Sequence, residues 1–344
     1  MGKKLVDPNR LCMGCMMEYN RPAKYCPYCG FNEREYKKPQ NSLPMREIIN
    51  GKYLVGKVLG IGGFGITYVG WDFYQSKKVC IKEYFPRQLA VRSSAGNSYS
   101  EMLSVSVQYT INPTQFTSSP TREERAYAKG LEAYIKEAEN LSKFYLMPGI
   151  VSVRDFFYGN RTAYIVMEYI NGIDMKKYTK AKGGRLTPDE VFGLLKDVIK
   201  ALNEVHKKNI IHRDISPDNI MLTNDGKAKL IDFGAAKDYE NNEKTPVQLK
   251  QGYAPIEQYS KTGNQGPWSD VYSMCASIYY LLTGTRIPNA KERQEKDTVM
   301  LLQAMGVPVS EEIDLAIRKG LSIQPEDRYQ TMGELYKDLY GEVI

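Results

Sequence analysis

His212-Arg213-Asp214-Ile215-Ser216-Pro217-Asp218-Asn219 is the stretch on which the fold is read, and Asp232-Phe233-Gly234 follows it in the chain. Further on stands Pro255-Ile256-Glu257, directly behind Gly252-Tyr253-Ala254. Upstream lie Gly60-Ile61-Gly62-Gly63-Phe64-Gly65 and Val79-Cys80-Ile81-Lys82. Each motif alone has a bland explanation: a turn, a glycine-rich hairpin, a solvated strand lysine. Their order and spacing along one chain do not share that explanation. The glycine pattern would suit a dinucleotide only if a helix opened straight after it. Here Ile66-Thr67-Tyr68-Val69 follows, which is strand-like, so the glycines read as a loop between strands whose backbone N–H groups close over phosphates. Lys82 stands 17 residues beyond Gly65, on an alternating strand that can bring one ammonium to those phosphates. Glu137, on the next helix, could pair with it.

Over about residues 52–344 this sequence resembles the eukaryotic-like protein kinase superfamily, most of all its bacterial Ser/Thr protein kinases. The resemblance implies an α+β bilobal protein kinase fold: a small β-rich N-lobe with one helix over about 51–170, and a larger helical C-lobe over about 171–344. It implies an ATP- and Mg²⁺-dependent enzyme that phosphorylates Ser/Thr hydroxyls of protein substrates and itself. Gly60, Gly62, Gly63 and Gly65 would form the phosphate lid, and Lys82 would bind the α/β-phosphates and pair with Glu137. Asp214 would accept the hydroxyl proton. Asn219 and Asp232 would hold two Mg²⁺, with Mn²⁺ as a substitute. Met167 would stand beside the adenine, Glu168 and Ile170 would offer backbone groups to it, and Thr67, Cys80 and Met221 would line its faces. Asp174 would reach the ribose. Glu257 would pair with Arg328, Asp270 would anchor the catalytic loop, and His212, Phe233 and Leu141 would stack. His206 is expected to be a packing residue. Phosphoryl transfer asks chiefly for positioning and neutralised phosphate charge, so metal-binding carboxylates and a fixed cation are the parts required.

Four departures stand out. Ser216 occupies a position where such kinases usually carry Lys, which removes a cation expected near the γ-phosphate. Lys250 occupies one that often carries Thr, which loosens the Ser/Thr assignment. Ile256 interrupts the usual Ala-Pro-Glu pattern, and an insertion over 86–120 puts Lys82 and Glu137 55 positions apart. The segment between Asp232 and Glu257 holds one Thr, Thr245, no Ser, and Tyr239 and Tyr253; Thr245 is a candidate for autophosphorylation, and the alternative is a solvated loop residue.

The rest of the 344 residues is ordinary globular sequence, with 42% apolar and 25% charged residues and a net charge of +7. Residues 1–50 hold nine Lys/Arg against five Asp/Glu, a mild excess that does not by itself call for nucleic acid. Within 10–31, Cys12, Cys15, Cys26 and Cys29 form C-x2-C, ten residues, C-x2-C. Four thiolates so spaced match a tetrahedral structural Zn²⁺, a zinc-ribbon knuckle too short to fold without metal; two disulfides or free thiols are the alternative. Residues 32–50, polar and broken by Pro39 and Pro44, read as a linker, and 51–344 as the kinase domain. Leu103 to Ile111 alternates like a half-buried strand within the insertion. Thr121/Glu124 and Thr187/Glu190 are capping boxes, Leu131, Ile135, Ala138, Leu141 and Tyr145 recur at helical spacing, and Ser269–Leu282 is apolar all round. The longest apolar run, Val271 to Leu282, is too short for a span of about 20 residues, and no signal peptide opens the chain. A cytoplasmic location is therefore expected. A second reading is a weakly active or inactive kinase-fold scaffold whose zinc ribbon, or whose 86–120 insertion, binds a protein partner, or whose ribbon binds nucleic acid; the last is not favoured.

Overall fold

A computed structural model describes residues 6–20, 23–92, 121–233, 237–238, 249–260 and 263–344. The alternating strand at 103–111, Gly234, Tyr239 and Thr245 lie outside the described residues. The chain divides into two compact units, 1–145 with 152–169, and 146–151 with 170–344.

In the first unit the strands are β1 (Ile48–Ile49), β2 (Tyr53–Ile61), β3 (Gly65–Asp72), β4 (Lys77–Tyr84), β5 (Val153–Gly159) and β6 (Thr162–Glu168), with one long helix, α1 (Arg122–Ser142), between β4 and β5. They form one antiparallel sheet in the order β1-β2-β3-β4-β6-β5. Strand periodicity sorts the side chains onto two faces. Thr67 lies opposite Lys82, Val69 opposite Cys80, and Trp71 opposite Lys78, so these six share one face. Tyr68, Ile81 and Glu83 take the other. There the buried Glu83 carboxylate accepts from Tyr68 and Tyr164 and pairs with Arg92. Arg92 in turn donates to the Asn41 carbonyl (2.7 Å), which fastens the chain entering the insertion to the stretch before β1.

The knuckle packs on the same unit. Leu11, Met13 and Met16 form a cluster with Leu54 and Val69, edged by Phe31, Trp71 and Tyr169. The Lys57 N–H donates to the Met13 carbonyl at 2.8 Å. Gly56 allows this approach: a Cβ there would lie 2.3 Å from Met16 Cε and 2.6 Å from the Met13 carbonyl oxygen. Burying each of the three knuckle side chains is worth about 1.5–3 kcal/mol. Nor does the polar stretch 32–50 hang free. Arg46 bonds Glu33 (2.6 Å) and the Pro8 carbonyl (3.0 Å), Leu43 is buried, and Ile48–Ile49 joins the sheet. Its polar groups are spent on partners distant in sequence, which a linker composition does not reveal.

Helix α1 begins at the Thr121/Glu124 box and buries Leu131, Ile135, Ala138 and Leu141. The helical spacing runs out before Tyr145, which lies beyond the helix end and is half exposed. The ring of Tyr84 of β4 packs at a tilt against Tyr127 and Tyr134, and Gly130 is the gap it needs, since a Cβ there would sit 2.0 Å from the Tyr84 hydroxyl.

The second unit is mainly helical: β7 (Gly172–Asp174), α2 (Met175–Ala181), α3 (Pro188–His206), β8 (Ile210–Ile211), β9 (Ile220–Thr223), β10 (Ala228–Leu230), β11 (Lys237–Asp238), α4 (Pro267–Thr283), α5 (Ala290–Glu295), α6 (Glu311–Gly320) and α7 (Met332–Tyr340). The order β10-β9-β7 makes a small sheet, and β11 pairs with β8. Helix α3 opens with its box and Pro188 at the first position. Helix α4 is buried nearly all round, its polar Ser269, Asp270, Ser273 and Ser277 included, and it stops at Gly284 in the left-handed conformation. Among the described residues no helix is long and apolar enough to cross a membrane.

Candidate active site

In the first unit the glycines form a strand–loop–strand turn, as expected: Gly60 pairs with Thr67, and the Gly62 N–H reaches the Gly65 carbonyl at 2.9 Å. Gly65 is sterically required, because a Cβ there would lie 2.5 Å from the Glu83 carbonyl oxygen, a backbone atom that cannot step aside. A Cβ at Gly60 or Gly63 would meet nothing within 4 Å, so the space there does not itself require glycine. Cross-strand register puts Thr67 beside Lys82, and Cys80 beside Met167. Four of the residues read as nucleotide-binding thus share one sheet face. The Tyr134 hydroxyl donates to the Lys82 carbonyl at 3.0 Å, and Glu137 follows Tyr134 by three residues, about one turn of α1. The Glu168 N–H donates to the Ser152 carbonyl at 3.0 Å, and the Ser152 N–H donates to the Glu168 carboxylate at 2.8 Å.

In the second unit Asp214 is oriented by Asn219, whose amide donates to both its carboxylate and its backbone carbonyl at 2.7 Å. The Ile231 N–H donates to the Asn219 carbonyl at 2.8 Å, which brings the residue before Asp232 onto the same loop. Asp232 has φ 61 and Arg213 φ 67, left-handed values that cost a non-glycine residue about 1–3 kcal/mol and persist only where neighbours impose them. The neighbour at Arg213 is visible: buried Asp270 of α4 accepts from the N–H groups of His212 (2.7 Å) and Arg213 (2.8 Å). Its third partner is the His206 ring at 2.8 Å, so His206 is buried as expected but makes a polar contact too. His212 packs edge-on against Phe233 at 4.4 Å. Burial pushes the Asp214 carboxyl above its ordinary value, although Lys250 and His212 pull it down. Met221 lies opposite Asp174 in the small sheet; Asp174 caps α2 through the Lys177 N–H and pairs with the Lys177 ammonium at 2.8 Å. Ile170 lies just past β6. Glu257 and Arg328 form the expected buried pair, at 2.8 and 3.1 Å.

One contact was not foreseen. The Lys250 ammonium donates to the Ser216 hydroxyl at 2.6 Å and pairs with Asp218 at 3.3 Å, and Lys176 also reaches Asp218 at 3.1 Å. Both departures had been visible in the sequence; that they touch had not, since 34 residues separate them.

No disulfide joins the four clustered cysteines, and their sulfurs lie within 4.8 Å of one another. Sulfurs about 2.3 Å from a single tetrahedral ion stand about 3.8 Å apart. The Cys12–Cys29 and Cys15–Cys26 pairs are at 3.7 and 3.8 Å, and the Gly14 N–H points at the Cys12 sulfur from 3.2 Å. Without a cation, burial pushes the Cys12 thiol up and the Cys15 thiol to about 11. The donor set therefore fits a thiolate-binding metal.

Comparison with known proteins agrees with this geometry. A family model described as "Protein kinase domain" matches residues 116–339. Serine/threonine-protein kinase F of Synechocystis sp. is 31% identical over 310 residues, 87% of this chain and 57% of that protein. Serine/threonine-protein kinase PknB of Mycobacterium tuberculosis is 30% identical over 306 residues, 85% of this chain and 43% of that protein. The chain thus spans about half the length of these curated relatives. Among solved structures, "PpkA-294 apo form" superposes with a TM-score of 0.69 at 30% identity, covering 87% of this chain and 99% of that one. The Mycobacterium tuberculosis PknI kinase domain gives 0.62 at 19% identity over 87% of this chain and 98% of its own, a likeness of fold.

Proposed function

The chain belongs to the protein kinase family, and from that premise we propose that it transfers the γ-phosphoryl group of ATP to Ser/Thr hydroxyls of protein substrates and of itself. The observation that carries the reading is the oriented base: Asp214 held by two bonds from Asn219 on a loop pinned by Asp270. A positioned base of this kind contributes about 10²–10⁴-fold. Asp214 takes the hydroxyl proton. Lys82, beside Thr67, binds the α/β-phosphates and pairs with Glu137, and Gly60, Gly62, Gly63 and Gly65 cover the phosphates with backbone N–H groups. Cys80, Met167 and Met221 receive the adenine, with the carbonyl of Glu168 and the backbone of Ile170; Asp174 reaches the ribose. Two Mg²⁺ at Asn219 and Asp232 supply neutralisation of the phosphate charge.

The knuckle at 10–31 holds one structural Zn²⁺ through Cys12, Cys15, Cys26 and Cys29, and 51–344 is the kinase domain. A closed set of four thiolates leaves no open coordination position, so the metal's part is folding, not catalysis. The names of the relatives favour catalysis over a scaffold role. The test is one assay: labelled ATP, Mg²⁺ and a generic protein substrate, with wild type beside Asp214→Asn, and identification of the phosphorylated residue type. Transfer no greater than in the Asp214→Asn control would end the proposal, and phosphotyrosine alone would end the Ser/Thr assignment.

A further inference from the structure

Two of the sequence's departures exchange the same two chemical groups. Position 216 has a hydroxyl where the resemblance implies an ammonium, and position 250 has an ammonium where it implies a hydroxyl. The structure puts the two side chains in contact, Lys250 Nζ to Ser216 Oγ at 2.6 Å. We propose that Lys250 is the cation that serves the transferred phosphoryl group, delivered from the segment ahead of Pro255 rather than from position 216 of the catalytic loop. The proposal rests on the kinase reading above and deepens it by naming a further catalytic residue.

Three observations support a built site. First, the ammonium is drawn in and held. Ser216 is fully buried two residues from Asp214, and Asp218 holds Lys250 from the other side at 3.3 Å. Second, the backbone under Lys250 is fixed. Its carbonyl accepts the N–H groups of Tyr253 and Ala254, at 3.0 and 2.9 Å. Gly252 turns at φ +80 in a space where a Cβ would lie 2.6 Å from the Ile287 carbonyl oxygen, and Ser273 of α4 donates to the Tyr253 carbonyl at 2.8 Å. A lysine so seated loses little freedom on meeting a phosphate. Third, the Asp218 carboxylate is divided between two cations, Lys176 at 3.1 Å and Lys250 at 3.3 Å, so Asp218 alone does not neutralise Lys250.

The rival account is that Lys250 is a strut, tying its segment to Asp218. The two differ in what an exchange does. Under the proposal, Lys250→Thr lowers kcat about 10²-fold, the usual loss on removing one group that stabilises transition-state charge, and leaves the KM for ATP nearly unchanged. Ser216→Lys alone also lowers kcat, because it sets a second ammonium against the first in a buried position. The double variant Ser216→Lys/Lys250→Thr restores the single charge and recovers kcat at least about tenfold over Lys250→Thr. Thermal melting of each variant separates loss of fold from loss of rate. Should the double variant fail to fold, Lys250→Ala with added ethylammonium takes its place, with tetramethylammonium as the salt control; saturable recovery with the first alone is the expected result. Lys250→Thr at wild-type kcat overturns the proposal, as does a folded double variant no faster than Lys250→Thr, or equal response to both salts. If wild type itself transfers no phosphate above Asp214→Asn, the kinase reading falls and this proposal with it.

Discussion

Asp270 is the residue whose loss should cost most in the second unit. It is fully buried in α4 and accepts three hydrogen bonds, from the His206 ring and the N–H groups of His212 and Arg213. Asp270→Ala leaves two backbone N–H groups buried without acceptors, about 1–3 kcal/mol each, so about 4 kcal/mol in all. At about 2–4 °C per kcal/mol for a unit of this size, the melting temperature should fall by about 8–16 °C. The chain has one cheaper answer, which is to lift the 212–214 loop off α4 and rehydrate the amides. That also relieves the left-handed strain at Arg213, about 1–3 kcal/mol. Relief and rehydration together rival the cost of opening, so folded molecules should carry a displaced Asp214 and transfer phosphate at least about 10²-fold more slowly. Asp270→Asn distinguishes geometry from size. Its amide would have to face either the two donors now at Oδ2, His206 and the His212 N–H, or the one at Oδ1, the Arg213 N–H. Neither orientation satisfies all three donors; the better one still leaves the Arg213 N–H facing an amide, so the isosteric change should cost about half as much as alanine. Initial rates and calorimetric melting of the two variants provide the measurement. Asp270→Asn melting within about 2 °C of wild type with undiminished kcat would refute the reasoning, because the anchor would then be shape and not hydrogen bonding.

Acid should act on the same residue. Burial pushes the Asp270 carboxyl up, but the His206 bond, the charges of His206 and His212 and the His212 N–H overcome it, and it lies below its ordinary value. Its contribution to stability is therefore complete above the unfolded carboxyl's value and lost as pH falls through the folded one; Asp270→Asn should flatten that acid limb in a pH–melting series. Asp214 runs the other way: burial raises it, with Lys250, His212 and Asn219 pulling down and Asp232 pushing up, so the acid limb of kcat/KM, which reports the free enzyme, should lie above an ordinary aspartate's; a limb at or below that value would contradict the raised value. Glu257→Gln should destabilise by about 3 kcal/mol, the low end for breaking a buried pair, because Arg328 keeps the Ser322 and Ile323 carbonyls at 2.7 and 2.6 Å; a melting curve unchanged from wild type would contradict it. Chelation, or Cys26→Ser with Cys29→Ser, should remove about one zinc per chain and open the knuckle to protease near Leu11, Met13 and Met16; full protection after metal loss would show that the apolar cluster holds it unaided.

Local signals were legible in the sequence, and their physics explains why. A capping box acts over three residues, so Thr121/Glu124 and Thr187/Glu190 mark helix starts wherever the helix later packs. Glycines followed by strand-like residues excluded the dinucleotide loop, and the hairpin of β2 and β3 bears that out. The spacing of the four cysteines brought one cluster into view, because each C-x2-C pair is a single turn. What stayed hidden were contacts with no period. The polar stretch 32–50 looked like a tether since Arg46, Leu43 and Asn41 find their partners elsewhere in the chain, and polarity alone does not distinguish a solvated group from a satisfied one. Tyr145 kept helical spacing one turn too long, because the pattern of apolar residues continues past Ser142, where the helix stops.

Ser216 and Lys250 show why reading position by position can mislead about chemistry. Taken singly, one departure removes a cation from the catalytic loop and the other removes a hydroxyl from a substrate-facing segment, and each argues for a weaker or altered enzyme. Taken as a contact of 2.6 Å they cancel: the same hydroxyl and the same ammonium are present, each on the other's backbone. Electrostatic stabilisation depends on where charge stands and how firmly it is held, not on which residue number supplies it. A lysine arriving from the loop ahead of Pro255 differs in one respect from a lysine fixed in the catalytic loop: it is present only while that loop is in place. Ordering of residues 250–254, by the Lys250 carbonyl turn and the Ser273 bond, then becomes a condition of the charge itself. Ser273→Ala, which removes that bond without touching Lys250, should therefore lower kcat by less than Lys250→Thr and add little to it when the two are combined, since both act through one ammonium. Independent, multiplicative losses in that pair would show that the loop and the lysine work separately.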